Sequence, residues 1–189
     1  MLEKTANFFW RITGWKTFAA GVLIYLVFGG YVMPNGAKHF SELSGKEVLV
    51  MDLQFSYTPE KARSIIGDYS DEARNYAINF GLIADTIYPI AYTFLFIIIM
   101  AWIFKSLAVY GFSVRFIHLF PFTILLADYA ENLNLVRLFR NFPDITDAQI
   151  QMASAFTTLK WSLLVVQIVL VFIGIGLLVY KRTTAKKSS

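Results

Sequence analysis

Four long runs of apolar residues divide the chain, and each is long enough to form a helix that crosses a bilayer. Because the hydrocarbon core is about 30 Å thick and a helix rises about 1.5 Å per residue, about twenty apolar residues suffice. The pattern predicts membrane-spanning helices over four ranges, which are 17–33, 76–104, 114–139 and 151–180. We therefore expect an all-α fold in which residues 1–189 form one membrane domain, an integral membrane four-helix bundle.

The segment between the first two runs, residues 34–75, is more polar and is predicted to form a structured outer loop. Residues 46–57 are rich in β-branched and aromatic side chains, which favours extended structure. Helix start signals follow at Thr58, where Pro and Glu come next, and at Ser70, where Asp and Glu come next. These signals predict two short helices that lie over the mouth of the bundle as a lid.

Composition and charge agree with a membrane protein and suggest its orientation. The chain is 57% hydrophobic, and its mean hydropathy of +0.55 is far from that of an average soluble domain. The net charge of +4 does not indicate nucleic acid, because the basic residues flank the apolar runs, as the positive-inside rule describes. Nine of them fall on one predicted side, namely Lys4, Arg11, Lys16, Lys105, Arg115, Lys181, Arg182, Lys186 and Lys187. We expect both termini to be cytoplasmic.

Charged residues interrupt three of the apolar runs at similar predicted depths. Counting about 1.5 Å per residue from the inner ends, Asp85, Asp128 and Lys160 reach the outer part of the bilayer, and Glu131 approaches its outer boundary. Charged residues inside a membrane are rare and usually face the interior of a bundle. Helical spacing adds other polar residues to the same faces, namely Tyr88, Tyr92, Asn132, Thr157 and Gln167. The sequence thus predicts a polar cup that opens toward the outer leaflet or the outside.

The chemistry of this cup follows from its excess of acids, because the chain has no cysteine and only oxygen and nitrogen groups are available. Three carboxylates face one lysine, so at least one acid should be protonated at neutral pH or should meet a cationic ligand. A protonated carboxyl can act as a general acid while a second acid or Tyr92 stabilises positive charge. The candidate catalytic residues are Asp85, Asp128, Glu131 and Lys160, and the candidate ligand-binding residues are Tyr88, Tyr92, Asn132 and Trp161. The expected ligand is a lipid, isoprenoid or sterol-like amphiphile.

Two other functions fit the same residues. The charges can pair with one another and the amides can bond across helices, so the chain can be a non-catalytic structural or accessory subunit that packs with a membrane protein partner. The second is transport of protons or cations, which needs a polar path to the inner side. Because residues 94–104 and 169–180 are almost continuously apolar, transport is the least expected of the three functions. The sequence has no metal-ligand or cofactor motif. Tight side-chain contact would favour the structural role, and a cavity between the polar faces would favour a ligand.

The layout of the chain resembles that of the EXPERA membrane proteins, the group of the sterol isomerases and the sigma-2 receptor. The likeness rests on four predicted helices, an outer first loop that carries "MDLQ" (51–54), and a second helix that reads "DTIYPIAY" (85–92). The resemblance implies a sterol-like or cationic amphiphilic ligand held by carboxylates, which correspond here to Asp52 and Asp85. The chain departs from the pattern because residues 34–50 separate "MDLQ" from the first predicted helix, and because "DYAENL" (128–133) and Lys160 have no counterpart. The chain is also similar in style to small bacterial four-helix membrane proteins, which implies no function.

Overall fold

The structure, a computed structural model, describes residues 2–108 and 114–187, and this part of the chain is all-α. The side chains of 114–115 and 185–187 lie outside the described set, so the predicted basic residues Arg115, Lys186 and Lys187 are not placed. In chain order the helices are α1 (Leu2–Ile12), α2 (Trp15–Val27), α3 (Met33–Ser44), α4 (Pro59–Gly67), α5 (Asp71–Leu107), α6 (Val114–Ile117), α7 (Pro121–Asn141) and α8 (Asp147–Lys187).

Among the described residues, three helical stretches are long and apolar enough to cross a membrane. They are Trp15–Ser44, Asp71–Leu107 and Asp147–Thr184. By length and composition, these stretches indicate an integral membrane protein with several spans. They contain the first, second and fourth predicted spans, and each is longer than predicted.

The first span continues past Pro34, so the predicted end at residue 33 was wrong. A π-helical turn, Phe28–Val32, joins α2 to α3, and the Met33 N–H donates to the carbonyl of Phe28. The π-helical turn accommodates Pro34 at the start of α3, where the missing proline N–H would otherwise interrupt the helix. The helix ends at Ser44, followed by Gly45 in the left-handed conformation with φ of 70°. Residues 45–50 alone therefore separate the helix from "MDLQ".

The third predicted span differs most from the structure. Residues 114–139 form two helices rather than one, because Pro121 begins α7 instead of lying inside a helix. Helix α7 packs against both α5 and α8. It carries Asp128, Glu131 and Arg137 within eighteen residues, and it is not among the helices apolar enough to count as a span. A fourth span, and with it a four-helix bundle, stays a prediction.

The loop between the first two candidate spans, residues 45–70, packs on the helices as a layer that we call the outer cap, after its predicted orientation. Helix α4 begins after Thr58, whose side chain accepts from the N–H of Lys61 at 3.3 Å, and α5 begins after Ser70. Only α4 is a separate short helix, so the predicted pair of short helices was wrong. The predicted extended segment, 46–57, contains a 3-10 turn at Met51–Leu53 and no strand within the described residues.

Apolar side chains of the outer cap join those of α7 and α8 in one core. Members from the cap include Met51, Tyr57, Ile65, Ile66 and Tyr69, and members from the helices include Leu135, Leu138, Ile150 and Ala153. Burial raises the pKa of the Tyr57 and Tyr69 phenols, so both stay neutral well above physiological pH. The cap is therefore fastened to the bundle by a shared hydrophobic core.

The opposite end of the bundle collects basic side chains. Lys105 donates to the carbonyl of Thr13 at 3.0 Å, and Lys181 donates to the carbonyls of Ser106 and Leu107 at 3.2 and 3.0 Å. The ends of three long helices thus meet at a positively charged surface, away from the outer cap. The assignment of this end to the cytoplasm stays a prediction.

Single-cysteine labelling tests that orientation, because the natural chain has no cysteine. We expect Glu47→Cys, in the outer cap, to react with a membrane-impermeant maleimide on intact cells, whereas Thr183→Cys, at the basic end, reacts only after lysis. Both positions are exposed in the structure. The reverse pattern would place the outer cap in the cytoplasm.

Candidate functional site

Two of the predicted site residues form a buried ion pair between α7 and α8. Lys160 Nζ lies 2.5 Å from Glu131 Oε2, and the exposed fractions of the two side chains are 11% and 0%. Such a pair is stable only if further bonds satisfy both groups. Lys160 also donates to the carbonyl of Asp52 at 3.3 Å. The lysine thus connects two helices with the turn of the outer cap.

Trp161 reinforces this connection from the next position on α8. Its indole N–H donates to the same Asp52 carbonyl at 3.1 Å, and Lys160 Nζ lies 5.3 Å from the centre of the indole ring. A tryptophan N–H usually finds an acceptor when it is partly buried. Two adjacent donors on α8 therefore hold one backbone oxygen, which fastens the backbone of the Asp52 turn to α8.

A second set of predicted residues forms a hydrogen-bond network between α5 and α7. Tyr92 donates to Asp128 Oδ2 at 2.8 Å, and Asn132 Nδ2 donates to Asp128 Oδ1 at 2.8 Å. Asn132 Nδ2 also donates at 2.9 Å to the backbone carbonyl of Asp85. That carbonyl lacks its usual helical partner, because the residue four positions later is Pro89. The proline and the asparagine thus act together to lock α5 against α7.

Tyr88 packs at the contact between α2 and α5. Its ring stacks on Tyr25 with centroids 6.0 Å apart and meets Tyr92 edge-on at 5.5 Å. Gly29 permits this approach, because a Cβ there would lie 3.1 Å from the Tyr88 hydroxyl. In the structure Tyr88 therefore contributes to helix packing.

The structure contains a cavity of about 300 Å³ between α3, α5, α7 and the outer cap. Its lining is largely apolar and aromatic, and it includes Gly29, Met33, Gly36, Phe40, Met51, Tyr69, Tyr76, Phe80, Gly81, Leu135, Val136 and Phe139. The polar members of the lining include three predicted site residues, Asp52, Asp85 and Asn132. A mostly apolar concavity with a few convergent polar groups is the usual form of a small-molecule site.

The two carboxylates of this cavity belong to half-buried residues, and neither forms an ion pair in the described part of the chain. Asp52 Oδ1 is buried and has no hydrogen-bond partner among the described residues. The ion pair of Lys160 is with Glu131, and neither of these residues lines the cavity. A buried carboxylate oxygen without a partner is costly unless it meets a proton or a cation. The cavity therefore presents acceptor groups at the edge of an apolar chamber.

Gly36 is a cavity residue that the sequence pattern did not identify. It is buried, and a Cβ at this position would collide with the ring of Phe80, so the absence of a side chain lets α3 approach α5. The residue lies in the segment 34–75, which was predicted to be a loop because it is more polar than the apolar runs on either side. The extension of the helix through this segment is what brings Gly36 and Phe80 into the site.

The residues predicted for the cup divide into two arrangements. Asp128, Glu131, Lys160 and Tyr92 are in direct contact with their neighbours, whereas Asp85 borders a cavity together with Asp52, the acid that the resemblance implied. Comparison with family models, with curated proteins and with solved structures finds no match to this chain.

Proposed function

We propose that the protein binds a cationic amphiphile in the cavity between α3, α5, α7 and the outer cap. The single observation that carries this proposal is the pair of carboxylates, Asp52 and Asp85, in the lining of an otherwise apolar chamber of about 300 Å³. This volume is at the lower end of the usual range for ligand pockets, which begins at about 300 Å³. A single alkyl chain or a compact ring system fits that size better than a two-chain phospholipid.

The preference for a cationic head group follows from charge. Asp52 Oδ1 is buried without a hydrogen-bond partner in the described part of the chain, and Lys160 is already paired with Glu131. An ammonium group would donate to these acids and offset their desolvation. Aromatic rings nearby, including Tyr69, Tyr76 and Phe80, would also favour a cation through their faces. This is the ligand class that the resemblance to the EXPERA proteins implies.

The remaining predicted residues would act as supports for the bound molecule. Glu131 and Lys160 hold the Asp52 turn, and Asp128 with Asn132 holds the backbone of Asp85. If the protein also transforms its ligand by acid catalysis, Asp85 is our candidate proton donor, because a general acid must lie within hydrogen-bond reach of the reacting group.

Dodecylamine, dodecanol and dodecanoate test this proposal, because they share a chain and differ in head group. By calorimetry in matched micelles we expect the amine to bind most tightly. Asp85→Asn should weaken the amine about tenfold or more, as loss of a charge-assisted bond does, and should leave dodecanol unchanged. Asp144→Asn, on the exposed loop before α8, is the matched control and should have no effect.

A non-catalytic structural role is the second candidate function, and the direct contacts favour it. The Glu131–Lys160 pair and the Tyr92–Asp128 bond join α5, α7 and α8 without any ligand. In this case the charges serve helix packing within a membrane complex. Equal or absent binding of the three dodecyl compounds would reject the amine-binding proposal and favour this alternative.

A further inference from the structure

A smaller cavity of about 150 Å³ lies at the seam between α5 and α7. Its rim includes Leu82 and Leu133, whose exposed fractions are 44% and 66%. Helix α5 is one of the stretches apolar enough to cross a membrane, so exposed leucines along this seam suit contact with acyl chains. The small cavity therefore faces the environment in which an amphiphile would be dissolved.

The small cavity adjoins the large one. Gly81, Asn132 and Val136 line both. Gly81 has no side chain, and a Cβ there would lie 3.6 Å from Val136 Cγ2 and 3.7 Å from Asp85 Oδ2. At this point Gly81 alone separates the two cavities. The carboxylate of Asp85, which lines the large cavity, lies next to Gly81.

On its exposed side, away from the Asn132–Asp85 bond, the seam is crossed by a further hydrogen bond. Tyr129 on α7 donates to the backbone carbonyl of Thr86 on α5 at 2.9 Å, and both residues line the small cavity but not the large one. One exposed hydrogen bond contributes only modestly to stability, so it can break and re-form while the fold stays intact. Because the Tyr129–Thr86 bond spans the exposed opening of the small cavity, we call it the latch.

We propose that the α5/α7 seam at Gly81 is the lateral route by which an amphiphile passes between the bilayer and the large cavity, with the Tyr129–Thr86 bond as its latch. The inference rests on the proposed binding function and narrows the ligand class. The ligand would be a single-chain amphiphile that partitions into lipid, rather than a solute that arrives from water. The polar head would meet Asp85 as soon as it passes Gly81.

Stopped-flow measurement of dodecylamine uptake and release in nanodiscs tests the route. Tyr129→Phe removes the latch without altering the large cavity, so we expect both rates to rise by a similar factor of about 2 to 10, the range that one hydrogen bond allows. The equilibrium affinity should stay unchanged, because uptake and release change together. Tyr180→Phe is the matched control, since Tyr180 is 67% exposed near the basic end of α8.

Gly81→Leu should have the opposite effect and slow both uptake and release. The leucine side chain would occupy the space between the two cavities. Gly176→Leu on α8, where a Cβ meets nothing within 4 Å, is the control for adding a leucine. If the wild-type protein binds dodecylamine and both Tyr129→Phe and Gly81→Leu leave its exchange rates unchanged, the lateral route is wrong and the binding function stands. If the wild-type protein does not bind the amine, both proposals fail.

Discussion

Replacing Lys160 with methionine is expected to destabilise the protein by about 3–5 kcal/mol, the usual cost of leaving a buried charge without its partner. The partner is Glu131, whose side chain is fully buried and has a second oxygen, Oε1, without a hydrogen-bond partner among the described residues. The substitution would also remove the bond from Lys160 to the carbonyl of Asp52. Thermal unfolding of the purified protein in detergent would measure the loss.

Two controls separate this effect from a general loss of charge. Lys38→Met removes a lysine that is 77% exposed in its pair with Glu42, so we expect no measurable change. The double variant Lys160→Met with Glu131→Leu should recover most of the stability, because it removes both members of the buried pair. A Lys160→Met protein as stable as the wild type would show that the ion pair does not hold α7 against α8.

The second large effect is expected for Gly36→Ala, which should cost about 1–3 kcal/mol, as overpacking of a core commonly does. The added methyl would collide with the ring of Phe80, so α3 must move away from α5 or the ring must turn into the cavity. Thermal unfolding and dodecylamine affinity should both decrease. Since an alanine normally favours a helix over glycine, a loss of stability here would have to come from the contact.

Gly30→Ala provides the matched comparison on the same helical stretch. A Cβ at Gly30 meets nothing within 4 Å, so this variant should be neutral or slightly more stable than the wild type. A Gly36→Ala protein that unfolds at the same temperature as Gly30→Ala would mean that α3 and α5 are not in close contact.

Sequence patterns predicted the helices well where local chemistry decides their ends. Thr58 and Ser70 act as N-caps, as predicted, and Thr146 and Gln149 form a capping box, with reciprocal bonds of 2.9 and 3.3 Å. These signals depend on residues that are neighbours in the chain. For that reason they can be identified without knowledge of the fold.

The patterns failed where a helix accommodates residues that usually end it. Pro34, Asn35 and Gly36 fall within the predicted loop, yet the π-helical turn before Pro34 lets the helix continue, and the Asn35 side chain donates to the carbonyl of Tyr31 at 2.7 Å. Pro121 was placed inside a helix, but it begins one. Composition alone does not tell a proline within a continuing helix, such as Pro34, from one that begins a helix, such as Pro121. The difference depends on the hydrogen bonds of the preceding turn.

For the candidate site, counting residues along helices brought Asp85, Asp128, Glu131 and Lys160 to a common level. It did not determine which acid would pair with the lysine, since that depends on how α7 and α8 are rotated and on the Asp52 turn of the outer cap. The walls of the cavity could not be predicted from the sequence, because they depend on how closely α3 approaches α5 at Gly36 and on how α5 packs against α7 at Gly81. The roles of the predicted catalytic residues stay predictions.

Photo-crosslinking with a long-chain amine that carries a diazirine on its alkyl chain tests the central claim most directly. We predict that adducts concentrate on segments that line the large cavity, 33–53, 76–85 and 132–139, and that excess dodecylamine suppresses them. Adducts spread over the outward apolar face of α8, such as Phe172 and Ile173 with exposed fractions of 68% and 56%, would contradict the account if excess amine does not reduce them.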